Sequence, residues 1–273
     1  MKTFKLGGLT LGSGRSALYI QEAKTLFAKS ATLTPTRKKL INDCLKSLKD
    51  KGYLARMVAL QFYAAHDEAF ELTDWIGNIT PSKIGSPAFE IDRGFTSAAG
   101  AGINTGFNPV RDGKGIFVKN KYSWGYYCRT NSQVTNRDAG HVDAITGTTI
   151  RVRQSTDTLG YLAYRNNATT ASGTTGAQTD SRGLFVLDKS SDLRVDVDWN
   201  GVSVANNTIA GGDLVDNEMY LGFYNNNGAP GSATNRQYAV YFAGDSFTPI
   251  ERGEIFVIIE TYLHAIGAGF FLT

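Results

Sequence analysis

Between residues 86 and 244 the chain returns repeatedly to one pattern. A run of seven to twelve residues, rich in aromatic and β-branched side chains and mostly alternating apolar with polar, is followed by a turn of Gly, Asn, Asp or Ser. SPAFEIDRGF, SWGYYCRTN, TTIRVRQST, LGYLAYRN, GLFVLDK, LRVDVDWNGVSV, MYLGFYN and QYAVYFAG are all of this kind. A period of two places the apolar side chains on one face of an extended strand. Many short antiparallel strands at turn-punctuated spacing fold as a sandwich or jelly roll, so the expected class is mainly β. In LRVDVDWNGVSV, Leu193, Val195, Val197 and Trp199 share one face and Arg194, Asp196, Asp198 and Asn200 the other, and Asn200-Gly201 is a strong hairpin signal. This alternation predicts that one face of the sheet is solvated.

Composition agrees. Thirty glycines, only six prolines, 13 tyrosines and 15 phenylalanines suit strands joined by tight turns, and 273 residues allow two domains at most. No run of about 18 apolar residues could span a bilayer, and the glycine-broken start MKTFKLGGLTLGSGRS lacks the apolar core of a secretion signal, so synthesis in a cytoplasm is expected. Cys44 and Cys128, far apart and in segments of different type, are expected to be buried free thiols.

Helices bracket the strands. Beyond an N-terminal arm, one is expected over Leu18 to Lys29. A second follows Thr34, whose hydroxyl can cap it, with Pro35 at its first position. Ile41, Cys44, Leu45 and Leu48 form its apolar stripe and Gly52 its stop. The last helix repeats the opening with Thr248, Pro249 and Glu251, a capping box. Ile255, Ile259, Tyr262 and Ile266 form its stripe, widened by Phe256 and Leu263, and Gly267 ends it.

Charge is uneven. Residues 1–60 carry twelve lysines and arginines against three acids, a net +9, whereas the remainder is at −6. Arg37, Lys38 and Lys39 lie in the first turns of the second helix, where the helix dipole disfavours cations by about 0.3–1 kcal/mol each. The cluster reads either as a docking surface for an acidic protein or nucleic acid, or as an ordinary solvated face.

The stretch NNNGAPGSATNRQYAVYFAGDSFTPIE, followed by a helix ending YLHAIGA, together with FYAAHDEAFELTDWIG, SPAFEIDRGF and TGFNP, resembles a family of tailed-bacteriophage virion proteins. The resemblance runs from about Leu33 to Ala268. It implies a concanavalin A-like, LamG-like antiparallel jelly roll with an N-terminal helical module and a C-terminal capping helix. On this reading residues 1–58 are an arm and basic attachment module, and 59–273 are the jelly roll. The implied role is that of a non-enzymatic structural protein of the virion, assembled in the host cytoplasm. It would be tail or tail-fibre associated and homo-oligomeric, with other virion proteins and host-surface polysaccharide as partners and neither nucleic acid nor membrane insertion. Capsid decoration by the same fold and glycan degradation are the alternatives.

Laminarinase-like relatives of concanavalin A set carboxylates as Glu-x-Asp-x-x-Glu along one strand, flanking a sugar bond. Here Glu90 and Asp92 are followed by Phe95 in the third place, so no catalytic residues are assigned. His66, His141 and His264 lie in unrelated contexts, Asp67 suits a turn or helix cap, and no cofactor is expected. Legume-type lectins of the fold hold calcium with Asp and Asn. Asp196, Asp198 and Asn200 share a face, yet alternate strand residues stand about 6.5–7 Å apart, too far for one ion without help from a loop, and no metal is assigned.

What remains is recognition. The segments RNNATTASGTTGAQTDSRG and YNNNGAPGSATNRQ read as long polar loops. They bring amides near aromatics, a mixture that hydrogen-bonds sugar hydroxyls and stacks on sugar rings. Tyr161, Tyr164, Tyr224, Asn225, Asn226 and Asn227 are the candidate glycan contacts, and Arg37, Lys38 and Lys39 the candidate docking residues.

Overall fold

The computed structural model describes residues 19–77, 79–143, 146–165, 170–208 and 212–272. Residues 1–18, the expected N-terminal arm together with Leu18 of the expected first helix, lie outside the described residues. Three helices matter to the architecture: α1 (Gln21–Phe27), α2 (Pro35–Asp50) and α5 (Pro249–Ala265). Two single turns, α3 (Glu68–Glu71) and α4 (Pro109–Asp112), interrupt the strands. The first helix is shorter than expected, and the Ile20 amide at its start is capped from outside by Asn42 Oδ1 at 2.9 Å. The other two open as their sequences predict: Thr34 accepts from the Arg37 amide, and Thr248 and Glu251 close a complete capping box.

The strands form two sheets. The first runs β13 (Val202–Asn207), β12 (Arg194–Trp199), β11 (Gly183–Ser191), β6 (Tyr122–Cys128), β17 (Gln237–Gly244), β4 (Gly94–Thr96) and β3 (Ala88–Glu90), and β1 (Met57–Phe62) also pairs with β17. The second runs β10 (Thr170–Ala177), β9 (Thr158–Arg165), β8 (Gly147–Arg151), β7 (Ala139–Val142), β14 (Tyr220–Leu221), β5 (Gly102–Asn104) and β2 (Ser82–Ile84). A small hairpin of β15 (Asn225–Asn226) and β16 (Ala229–Pro230) hangs on β7. Pairing is antiparallel throughout except between β15 and β7. The fold is therefore a mainly β, two-sheet sandwich.

Apolar residues make two cores, giving three layers. Between the sheets lie Trp124, Tyr126, Phe185, Val195 and Val197 of the first sheet, and Ile103, Ile150 and Leu221 of the second. Over the other face of the first sheet lie the helices, where Ile41, Leu45, Leu48, Ile255, Ile259 and Leu263 meet Leu60, Tyr127, Val186 and Phe242. β6 shows the division: Tyr122, Trp124, Tyr126 and Cys128 turn inward to the second sheet, and Tyr127 turns to the helices. Both cysteines are free and buried, and burial pushes the Cys128 thiol up to about 12.

The alternating segment folds as the expected hairpin, with Asn200 and Gly201 both at positive φ (53° and 76°), the type I′ geometry that matches strand twist. Its polar face is wet only at the Arg194 end, and Asp196 and Asp198 are buried. α5 covers them, and Arg252, 2 % exposed, reaches down to Asp198, with Asp188 3.3 Å and Asp196 3.6 Å away. The acids were placed for a buried guanidinium rather than for solvent. This also removes the calcium alternative, because a cationic side chain occupies the space between the carboxylates and Asn200 Oδ1 accepts from the Leu184 amide. Burial pushes Asp188 up to about 6, opposed by the Ser123 hydroxyl and Arg252.

Both segments read as loops contain strands. β10 occupies the middle of RNNATTASGTTGAQTDSRG and pairs with β9 from Thr170↔Arg165 to Ala177↔Thr158. YNNNGAPGSATNRQ is a tight hairpin at its start.

Candidate functional site

The hairpin on β7 is built by local rules. Asn227 and Gly228, at φ 51° and 91°, form its two-residue turn, and Asn225 faces Pro230 across it. Asn225 is fully buried: its Nδ2 donates to the Glu218 carbonyl at 2.9 Å and its Oδ1 accepts from the Gly228 amide at 2.7 Å. Asn225 is thus a structural residue and not a glycan contact, since both ends of its amide are used in holding the turn. Asn226 and Asn227 are exposed at the tip, and Tyr224 is half-buried at the base.

The Tyr224 ring is held from two sides. Gly231 lies against one edge so closely that a Cβ there would stand 2.3 Å from the ring. The Arg137 guanidinium lies over the ring, with Cζ 4.5 Å from its centroid, a cation–π geometry. Next to this, Arg151 on β8 lies across Gly160 of β9, where a Cβ would meet its Nε at 2.5 Å and Gln154 Nε2 at 2.7 Å. Glycine at 160 is what lets the guanidinium lie flat on the sheet. Burial holds Arg151 below the ordinary arginine range, and the charge of Arg137 lowers it further.

Asp138, the carboxylate nearest in sequence to Arg137, faces inward. Arg236 Nη1 donates to both its oxygens at 2.7 and 2.8 Å, and the Tyr238 hydroxyl and the Val152 amide also donate to it, all from buried positions. A polar cleft of about 400 Å³ is lined by Thr80, Asn104, Arg111, Asp112, Lys114 and Glu218. There the Arg111 fork is already committed to Asp112 and Glu218.

The other predicted contacts lie elsewhere. Tyr161 is 6 % exposed and belongs to the core between the sheets, across from Ile150, which corrects its assignment as a surface contact. The backbone of Tyr164 on β9 pairs with Ala171 on β10, and the Tyr164 side chain lies outside the described residues. Of the docking cluster, Arg37 is internal: it is 9 % exposed and donates to the Tyr262 hydroxyl at 3.1 Å and to Asp92. Its place in the first turn, against the helix dipole, is explained by these contacts. Lys38 stands 5.8 Å from the Phe27 ring centroid, and exposed Lys39 bonds to Asp43 at 2.5 Å.

Glu90 accepts from Gln237 Nε2 at 2.9 Å, Asp92 holds Arg37, and Phe95 is fully buried, so the Glu-x-Asp pair is tied into the scaffold. Asp67 caps α3 and shares its neighbourhood with His66 and Thr32. His141 is buried with Nδ1 2.9 Å from the Asn217 carbonyl, and burial pushes it down to about 4. Among the described residues there is no group of three or more His, Cys, Asp or Glu placed to hold a metal ion.

No protein-family model matches the sequence, and no curated protein is significantly similar to it. Solved structures share the fold. Domain 4 of AbnA, a GH43 extracellular arabinanase from Geobacillus stearothermophilus solved with arabinotriose, superposes with a TM-score of 0.54 at 14 % identity, covering 74 % of this chain and 98 % of that domain. The binding domain of botulinum neurotoxin DC in complex with SialylT gives 0.54 at 12 % identity, covering 77 % of this chain and 52 % of that one. A Trypanosoma rangeli sialidase mutant with trans-sialidase activity gives 0.51 at 12 % identity, covering 86 % and 40 %. The chain thus spans nearly all of the arabinanase domain but about half or less of the other two. At these identities the likeness is one of fold.

Proposed function

We propose that this protein is a non-enzymatic carbohydrate-recognising sandwich carried on a bacteriophage particle, in the tail or tail-fibre assembly, where several copies present the β15–β16 hairpin to a host-surface polysaccharide. The observation that carries the recognition reading is the fixed Tyr224 ring beside the exposed amides of Asn226 and Asn227. An aromatic face with amides at its rim matches the alternating apolar and hydroxylated surface of a sugar. The fold supports the same reading, since its neighbours include a domain solved with arabinotriose and a binding domain solved with SialylT. Placement on a phage particle rests on the resemblance of the motifs. The non-enzymatic reading is supported by Phe95, buried where a third carboxylate would be needed.

The test has two parts. Purified protein is expected to bind host-surface polysaccharide without shortening it, as judged by sizing, and Tyr224→Ala is expected to weaken binding about tenfold or more, in line with losing a stacked aromatic contact. Electron microscopy of particles decorated with antibody against this chain is expected to label the tail. Depolymerisation by the wild type, or label on the head alone, would overturn the corresponding part.

A further inference from the structure

We propose that Arg137 and Arg151 form an anion subsite beside Tyr224, which makes the saccharide recognised there an acidic one, bound through a carboxylate or sulfate group. This deepens the carbohydrate reading and rests on it.

The argument begins with charge. Among the described residues, neither arginine has a carboxylate within ion-pair distance, although most arginines of the chain do, among them Arg37, Arg56, Arg111, Arg153, Arg182, Arg194, Arg236 and Arg252. The two are neighbours by register. The Asp138 amide donates to the Ile150 carbonyl at 2.8 Å, so Arg137 and Arg151 flank one rung at the end of the β7–β8 ladder. They are also close enough that the charge on Arg137 disfavours the charge on Arg151. Both are half-buried. Two cations side by side, each partly stripped of water and without a counter-ion, cost free energy in the empty protein.

The geometry keeps them there nonetheless. Tyr224 carries Arg137 on its face, and Gly160 gives Arg151 a flat bed on the sheet. The acid next to Arg137, Asp138, is turned inside and used by Arg236, and the acid nearest to Arg151 in sequence, Asp157, is held by Arg153 and Gln133. Guanidinium forks pre-placed in this way suit the planar, bidentate acceptor geometry of a carboxylate, and also the oxygens of a sulfate. A sugar ring stacked near Tyr224 would bring a ring substituent within reach of both cations, joining apolar contact and charge pairing in one site.

The experiment uses the full chain and compares oligogalacturonate, its methyl ester, and dextran sulfate against dextran, by titration calorimetry at low and at physiological salt. The ester keeps the sugar and removes the charge. The acid form is expected to bind about tenfold or more tightly than the ester, the span of a charge-assisted hydrogen bond. Raising the salt should narrow that difference. Arg137→Gln and Arg151→Gln should each bring the acid form down toward the ester, narrowing the ratio of the two affinities, and Arg151→Lys should restore part of that ratio. Tyr224→Ala should weaken both forms, the acid form more, because Arg137 loses the ring that carries it. Preference for dextran sulfate over dextran, lost in the same variants, would support the subsite with sulfate as its anion. Equal binding of acid and ester, or arginine variants that keep the acid preference, would overturn the anion subsite and leave carbohydrate recognition standing. Failure of every saccharide, charged or neutral, would overturn both. Unchanged circular dichroism of the variants would exclude misfolding as the cause of any loss.

Discussion

Arg252 of α5 and Asp198 of β12 form a buried ion pair across the boundary between the helical layer and the sheet, with Nε and Nη2 of the one donating to the two carboxylate oxygens of the other. Asp188 and Asp196 complete the shell around the guanidinium, and Nη1 donates to the Phe247 carbonyl at 2.7 Å. Removing the cation leaves three acids in a closed site. Arg252→Met is therefore expected to cost about 3–5 kcal/mol, the range for breaking a buried pair by deleting one partner. Asp198→Asn, which leaves the arginine two carboxylates, should cost clearly less. Urea denaturation of the two variants tests the order.

Ile259 is fully buried where α5 meets the first sheet. Ile259→Ala should lower stability by about 2–5 kcal/mol through lost burial and a residual cavity. An unchanged melting temperature would show that the helix does not depend on this contact.

The basic cluster divides into two experiments. Arg37 is held by Tyr262 and Asp92, so Arg37→Ser should destabilise the fold by about 1–3 kcal/mol, the cost of unmaking a buried charged hydrogen bond. Lys38→Ser with Lys39→Ser should leave the melting temperature nearly unchanged and is the variant that tests docking. Normal copy number of this double variant in assembled particles would leave the lysines as a solvated face.

Acid should stabilise the protein before it harms it. Burial pushes Glu71 up to about 7, with Lys83 the nearest cation at 3.5 Å, and pushes Asp74 and Asp188 up to about 6. For a carboxylate whose folded pKa is raised, the folded state binds the proton more tightly, so stability is gained as pH falls through 7 and 6 toward the ordinary carboxylate range. His141, held down at about 4, acts oppositely: the unfolded chain takes up the proton first, and stability is lost as pH falls from about 6.5 to 4. The melting temperature should peak near pH 5–6. Glu71→Gln should flatten the alkaline limb, relieving about 3 kcal/mol at most at pH 8. A variant whose stability falls from pH 6 to 8 as steeply as the wild type's would remove Glu71 as the cause.

The parts of the fold that could be read in advance are those where one residue type is required by geometry. Asn200-Gly201 announces its hairpin because both positions need positive φ, and Thr34-Pro35 and Thr248-Pro249 announce helix starts because a hydroxyl must meet a free amide. β1 could not be seen in this way. Leu60 and Phe62 face the helices while Ala59 faces the second sheet, so Met57–Phe62 is buried on both sides and, Gln61 apart, is a run of apolar residues with no alternation. β10, made of Thr, Ala, Ser and Gly, carries turn composition in a strand that its pairing with β9 defines.

At the site, composition singles out Tyr224 and the amides after it, but the Asn227-Gly228 hairpin reads as part of a long polar loop. Their neighbours Arg137 and Arg151 were not legible, because 14 residues of sequence separate them and only the β7–β8 register brings them together. Tyr161 misled for the complementary reason: an aromatic next to a polar segment looks exposed, whereas strand parity turns this one inward.

The place of β17 bears on how the chain is made. It is the strand synthesised last of those in the first sheet, yet β6, β4 and β1 all pair with it, and Met57 meets Gly244 across 187 residues of sequence. A nascent chain emerging from the ribosome must therefore hold β1 unpaired, and one edge each of β4 and β6 open, until residues 237–244 arrive. Contacts this remote slow folding and leave sticky edges open meanwhile. Self-association during synthesis is then the hazard such a chain faces, and its folding should be fast only once β17 has cleared the exit tunnel.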